Sequence, residues 1–195
     1  RKFDLSAEDS YIKNYDKKSK GNSSTKKAYE LHGRKIKFGK ISAAHEFINL
    51  EQLKKICKEK DSTITQYLTA VLIYSIYCEN YKKNNGKKPI KVCIPINLKK
   101  YFPSNTISNF FSYMTLVIER ERLEKENFDE ILEFVKEDFA KRLTQEEIQK
   151  TMSANVKLGV NPFIKVIPLF LKKPIVRLSY LDIRKYTSTT VSNIG

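Results

Sequence analysis

The apolar positions of the chain gather into runs of two periods. Ile90 to Leu98 and Phe110 to Ile118 are dense in β-branched and aromatic residues, and a Pro/Ser/Asn-rich stretch from Lys99 to Asn109 separates them. This predicts strand, ordered loop, strand. Neither run alternates cleanly between apolar and polar, so both are expected to be central strands buried on two faces, with helices as cover. A further strand-like segment runs from Ile36 to Ile48, with a bend expected at Gly39. The chain closes on TSTTVSNIG, Thr187 to Gly195, in which a Thr/Val strand passes into Ser/Asn/Gly loop signals.

The remaining apolar residues recur at three- and four-residue spacing. Asn49 opens a helix with Gln52 three residues on and Ile48 placed to staple against Leu53; it ends near Lys60. Thr63 with Gln66 repeats the device for a helix reaching about Lys83, apolar over more than one stripe and stopped by Asn84, Asn85 and Gly86. The charged stretch RERLEKEN reads as a solvated link. Phe128, Ile131, Leu132, Val135, Phe139 and Leu143 mark one amphipathic helix. Thr144 with Glu147 opens another that runs towards Leu158 and stops by Gly159 and Pro162. Phe163 to Tyr186 is apolar and basic, and Pro168 and Pro174 make it a kinked or broken helix. It is expected to pack on the core, with membrane-surface binding through its Lys and Arg as the alternative.

Composition narrows the class. A chain of 195 residues with 41% hydrophobic content and few Gly and Pro is globular and long enough for a real core. No apolar run is long enough to span a bilayer, and no secretory leader is visible, which predicts a cytoplasmic protein. Residues 1–34 read as a partly flexible N-terminal segment containing the GNSSTKK loop, and 35–195 as the folded unit; the opening on Arg1 and the close on a strand suggest truncation at both ends. Cys57, Cys78 and Cys93 are odd in number and widely spaced, which suggests neither a disulfide framework nor a metal site, and Cys78 and Cys93 lie in apolar surroundings that read as structural. The net charge of +15 raises nucleic acid, membrane surfaces and anionic substrates as partners. The excess is mostly Lys, spread along the chain rather than concentrated on one reading element, so no nucleic-acid partner is predicted.

Most enzyme classes lack their signatures here: there is no Gly-rich phosphate loop, HExxH, GxSxG or close cysteine pair. The histidines, His32 and His45, stand apart in unremarkable settings. Two polar clusters are not explained by packing. One is the loop from Asn97 to Asn109 with Ser112 in the following strand; the other is Ser192 and Asn193 at the end of the last strand. Such groups at strand ends either satisfy loop backbone or donate to a substrate or a developing oxyanion.

The pair IPINLKKYFPSNTISNFF and TVSNIG, in this order of elements, resembles the C-terminal half of the chloramphenicol-acetyltransferase-like superfamily. Within it the chain is most similar to bacterial alcohol acetyltransferase-like proteins, which are related to the condensation domains of nonribosomal peptide synthetases. The resemblance implies an α/β, CoA-dependent acyltransferase-like half with a mixed β-sheet covered by helices. Two such halves face one another across a channel, and the acyl donor, a CoA or carrier-protein thioester, meets an alcohol or amine acceptor there. No cofactor is bound permanently. The family's base is the second histidine of an HHxxxDG motif in the N-terminal half, and these 195 residues contain no such motif. The resemblance therefore implies a missing partner half, a chain that is silent alone, and self-association through the face left open.

Matched motif to motif, SNIG is also similar to the ISNLG of dihydrolipoamide acyltransferases. This makes Ser192 the oxyanion donor, worth roughly 2.7 to 4 kcal/mol in the transition state, and Asn193 a shaper of the site. Asn97, Asn109 and Ser112 fall on the channel wall as substrate-binding candidates. A condensation-like domain that binds without catalysing is the alternative, and a basic nucleic-acid or membrane-surface protein a more distant one.

Overall fold

The computed structural model describes residues 9–19, 26–34, 36–37, 40–125, 127–162 and 166–193. In chain order the elements are α1 (Ser10–Lys13), α2 (Leu50–Glu59), α3 (Ile64–Ile76, continued by a π turn over Tyr77–Tyr81), β1 (Ile90–Asn97), β2 (Phe111–Ile118), α4 (Arg120–Leu123), α5 (Phe128–Arg142), α6 (Gln145–Val160), α7 (Leu169–Ile183) and β3 (Thr189–Thr190). The described strands form one mixed α/β sheet in the order β2-β1-β3. β1 pairs antiparallel with β2, from Ile90 opposite Ile118 to Asn97 opposite Phe111, and parallel with β3 through Val92 opposite Thr189.

Helix starts follow the local rules. The Asn49 side chain accepts from the Gln52 amide, Thr63 and Gln66 form a full capping box, and Thr144 accepts from the Glu147 amide. Asn127 and Glu130 form a second capping box at the head of α5. The turn into β1 is tight. Asn85 takes a left-handed φ of 47°, and Gly86 lies so close beneath Tyr81 that a Cβ would approach its ring to 2.5 Å.

Strand parity decides where the core lies. Ile90, Val92, Ile94 and Ile96 of β1 share a face with Ser112, Met114, Leu116 and Ile118 of β2, and all are buried. Onto this face pack Ala70, Ile73 and Ile76 of α3, Ile131, Leu132, Val135 and Phe139 of α5, and Ile148, Met152 and Val156 of α6. Tyr67 and Tyr74 meet Phe128 edge-on at 5.7 and 5.9 Å, locking α3 to α5.

The opposite face is different. Lys91 is buried at one end, bonded to the Lys26 carbonyl, with the Tyr186 ring 5.9 Å away. Further along, Cys93 is half-buried and Pro95, Asn97, Phe111 and Tyr113 are exposed. β2 is therefore an edge strand that alternates between inside and outside, not a strand buried on two faces. Its apolar outer residues hid the alternation from a polarity count.

Three further expectations are corrected. Among the described residues of 36–48 there is no strand; the segment is irregular and open to solvent, with Ile41 95% exposed, because β-forming composition without a partner strand makes no sheet. The link after Glu119 holds the short helix α4, whose Leu123 is fully buried. α7 carries Pro174 within it as a helix, but it does not pack on the core: Leu169, Phe170, Leu178 and Tyr180 are each 65 to 72% exposed. The staple residue Ile48 is also exposed. The expected bend at Gly39 and most of the GNSSTKK loop lie outside the described residues. Parts of 9–34 are tied to the folded unit. The Tyr11 hydroxyl donates to the Phe111 carbonyl at 2.8 Å and accepts from the Phe111 amide at 3.0 Å, and Ala28 and Tyr29 are buried.

Candidate functional site

The two polar clusters meet at the open end of the sheet. A pocket of about 270 Å³ is lined by Pro95, Asn97 and Lys99 from the end of β1, Ile107, Ser108 and Asn109 from the loop, and Ser192 and Asn193 from beyond β3. The loop is held by its own side chains. Asn97 accepts from the Lys99 amide at 3.0 Å and starts a single 3₁₀ turn, and Ser104 and Thr106 accept from the amides of Thr106 and Ser108. The chain beyond β3 is held by the Val191 amide donating to the Cys93 carbonyl at 3.0 Å, and by Asn193 Nδ2 donating to Thr65 Oγ1 at 3.1 Å in the first turn of α3.

Of the five residues expected at the site, Asn97, Asn109, Ser192 and Asn193 are brought together and Ser112 is not. Asn97 is paired with Phe111, so Ser112 is one residue out of phase and points through the sheet. It is buried, its Oγ has no hydrogen-bond partner among the described residues, and it borders a separate cavity of about 110 Å³ against Ile148 and Thr151 of α6. Asn97 spends its oxygen on the 3₁₀ turn, which leaves its amide nitrogen for the pocket. Ser192 and Asn109 are exposed and make no hydrogen bond among the described residues, so both are available to a ligand.

Sequence reasoning missed Lys99, Ser108 and Thr65. The first two lie inside the loop already singled out, and their turn chemistry was a usable signal. Thr65 stands 128 residues from its partner Asn193 and announces itself by nothing local.

Among the described residues no histidine or carboxylate lines this pocket. His32 is engaged with the Tyr29 hydroxyl at 3.1 Å, and His45 is exposed in the irregular segment before α2. The nearest thiol, Cys93, is pushed up from its ordinary pKa by burial, with a hydrogen bond to Thr190 pulling the other way. Burial thus favours its neutral thiol form. The described cysteines are free, and no described group of His, Cys, Asp and Glu could hold a metal ion.

The described sheet is thus packed on one face, and its other face ends in a pocket lined by amides and hydroxyls. Residues 4–176 match the alcohol acetyltransferase family, and the chain belongs to that family. The match takes in the strand, loop and strand from Ile90 to Ile118 and stops short of Ser192 and Asn193. No curated protein matches the chain. No described helix is long and apolar enough to cross a membrane.

Proposed function

We propose that these residues form one wall of an acyltransferase site that moves an acyl group from a CoA or carrier-protein thioester to an alcohol or amine. The observation that carries the reading is the meeting of Ser192, Asn193, Asn97 and Asn109 in one pocket at the open end of the sheet, within a chain of the alcohol acetyltransferase family. The base is supplied by an HHxxxDG histidine on a facing half outside these 195 residues. It takes the proton of the acceptor hydroxyl or amine, and the freed oxygen or nitrogen attacks the thioester carbonyl. The negative charge passes to the carbonyl oxygen, where Ser192 Oγ donates a hydrogen bond. Collapse of the adduct expels the thiolate, which takes the proton back from the histidine. Asn193, tied to Thr65, fixes the backbone that carries Ser192. Acyl thioester and acceptor are substrates, and no resident cofactor is involved.

That no described histidine or carboxylate lines the pocket favours a second reading, a condensation-like module that binds but does not catalyse. One assay separates them: release of free thiol from an acyl-CoA in the presence of an alcohol, by the full-length protein and by the 195-residue chain. Turnover by the former with none by the latter is expected. Turnover by the isolated chain at the full rate would overturn the two-half reading, and its absence from a full-length protein with an intact HHxxxDG would favour the binding module.

A further inference from the structure

A second cleft lies at the other end of the sheet. It has a volume of about 760 Å³ and is lined by Lys27 to Leu31, Lys88, Arg184, Lys185, Thr187 and Ser188. Four cations face it and one carboxylate, Glu30, opposes them. Lys185 is engaged with Asp182 at 3.3 Å, whereas Lys27, Lys88 and Arg184 make no ion pair among the described residues. Its walls come from three distant stretches of chain pinned by backbone hydrogen bonds. The Ala28 amide donates to the Lys185 carbonyl, the Tyr29 amide to the Pro89 carbonyl and the Ser188 amide to the Lys91 carbonyl, each at 2.8 Å. The Ser188 hydroxyl donates to the Tyr29 carbonyl at 2.7 Å.

Like charges gathered on a rigid concave wall repel one another, and a polyanion relieves that repulsion. We infer that this cleft is a binding site for a small molecule carrying phosphate groups. A single carboxylate would leave most of the charge uncompensated, whereas a diphosphate matches three cations. A guanidinium presents a fork to two phosphate oxygens, and lysines supply point charges. The volume is that of a small-molecule site, which suits a nucleotide-sized ligand rather than a duplex or a membrane. Ser188 in this cleft and Ser192 in the other pocket are four residues apart, at most about 14 Å along the extended chain. The inference stands apart from the acyl-transfer reading, because binding here needs neither Ser192 nor a base.

The test is calorimetric titration of the 195-residue chain with inorganic pyrophosphate and, separately, with adenosine diphosphate. It is run on the wild type, on a Lys27→Gln/Lys88→Gln/Arg184→Gln variant, and on a Lys54→Gln/Lys55→Gln/Lys58→Gln control that removes the same charge from exposed α2. Binding is expected to weaken about tenfold or more in the cleft variant, the equivalent of losing one charged hydrogen bond, and less than about twofold in the control. Binding of the nucleotide alone assigns a nucleotide site; binding of both assigns a site for the phosphates themselves. Amide shifts on titrating the wild type should centre on Ala28, Thr187 and Ser188, a reading that needs no variant. No binding of either probe, equal losses in both variants, or shifts centred elsewhere would overturn the inference.

Discussion

The two faces of the β1–β2 pair share one backbone and one register, yet they do opposite work. On one, every residue from Ile90 to Ile96 and from Met114 to Ile118 is sealed under α3, α5 and α6. On the other, burial fades along β1 from Lys91 through half-buried Cys93 to exposed Pro95 and Asn97, and the pocket sits where it has faded completely. Apolar residues on a strand thus carry two meanings. Val92 and Leu116 hold the fold, whereas Phe111 and Tyr113 are exposed and contribute little to the core. The same holds for α7 and for the stretch before α2, whose exposed Ile41, Phe47 and Leu178 add to an uncovered apolar surface.

The comparison can be broken in four places, taken from the largest expected effect to the smallest. Leu116→Ala on the sealed face should cost about 3 to 4 kcal/mol in chemical denaturation, since it leaves a cavity in close packing. Tyr113→Ser on the open face should cost less than about 1 kcal/mol; equal costs would end the distinction. In the full-length protein, Ser192→Ala should lower kcat about a hundredfold or more at unchanged denaturation midpoint, because the donor is needed only by the developing oxyanion. Unchanged turnover would remove Ser192 from the mechanism. Ser112→Ala, through the sheet from the pocket, should leave turnover within about twofold and stability within about 1 kcal/mol, since a buried hydroxyl without a partner contributes little. A large loss of turnover there would mean that the two faces are coupled.

The smallest effect concerns Lys91. Burial lowers its pKa from the ordinary 10.5, and Glu119 nearby works against that shift. The unfolded chain therefore holds this proton to higher pH than the folded one does, and the contribution of Lys91 to stability rises as pH climbs towards 10.5. Denaturation midpoints of the wild type and Lys91→Met, compared at pH 7 and pH 10, should move so that the wild type gains relative to the variant. A gap that is independent of pH would mean that the ammonium is well solvated.

Much of this was legible in the sequence for local reasons. Asn49, Thr63 and Thr144 cap the helices they were expected to cap, because capping needs only a side chain and an amide three residues on. The Asn127 and Glu130 box follows the same rule and was readable too. The β1 and β2 runs were visible, but the edge position of β2 was not, since its outward Phe111 and Tyr113 look like core. For the same reason α7 read as a core helix: apolar content records that a surface is to be covered, not by what. At the site, the SNIG and Asn97–Asn109 signals led to one pocket. Ser112 went astray because a strand reverses its facing at every residue, and only register tells which residues share a side.

β3 joins the sheet through two paired residues, and its bond from the Lys91 amide to the Ser188 hydroxyl spans 97 positions of chain. The β1–β2 ladder closes across 14 positions at its near end, Asn97 to Phe111. Closing the longer loop costs about 1.7 kcal/mol more in chain entropy, with far fewer hydrogen bonds in return. Chain entropy therefore favours closing the β1–β2 ladder before β3 docks. The pocket that holds Ser192 depends on that last, weakly paired strand, so a variant that loosens the docking of β3 would keep native helices and lose the site.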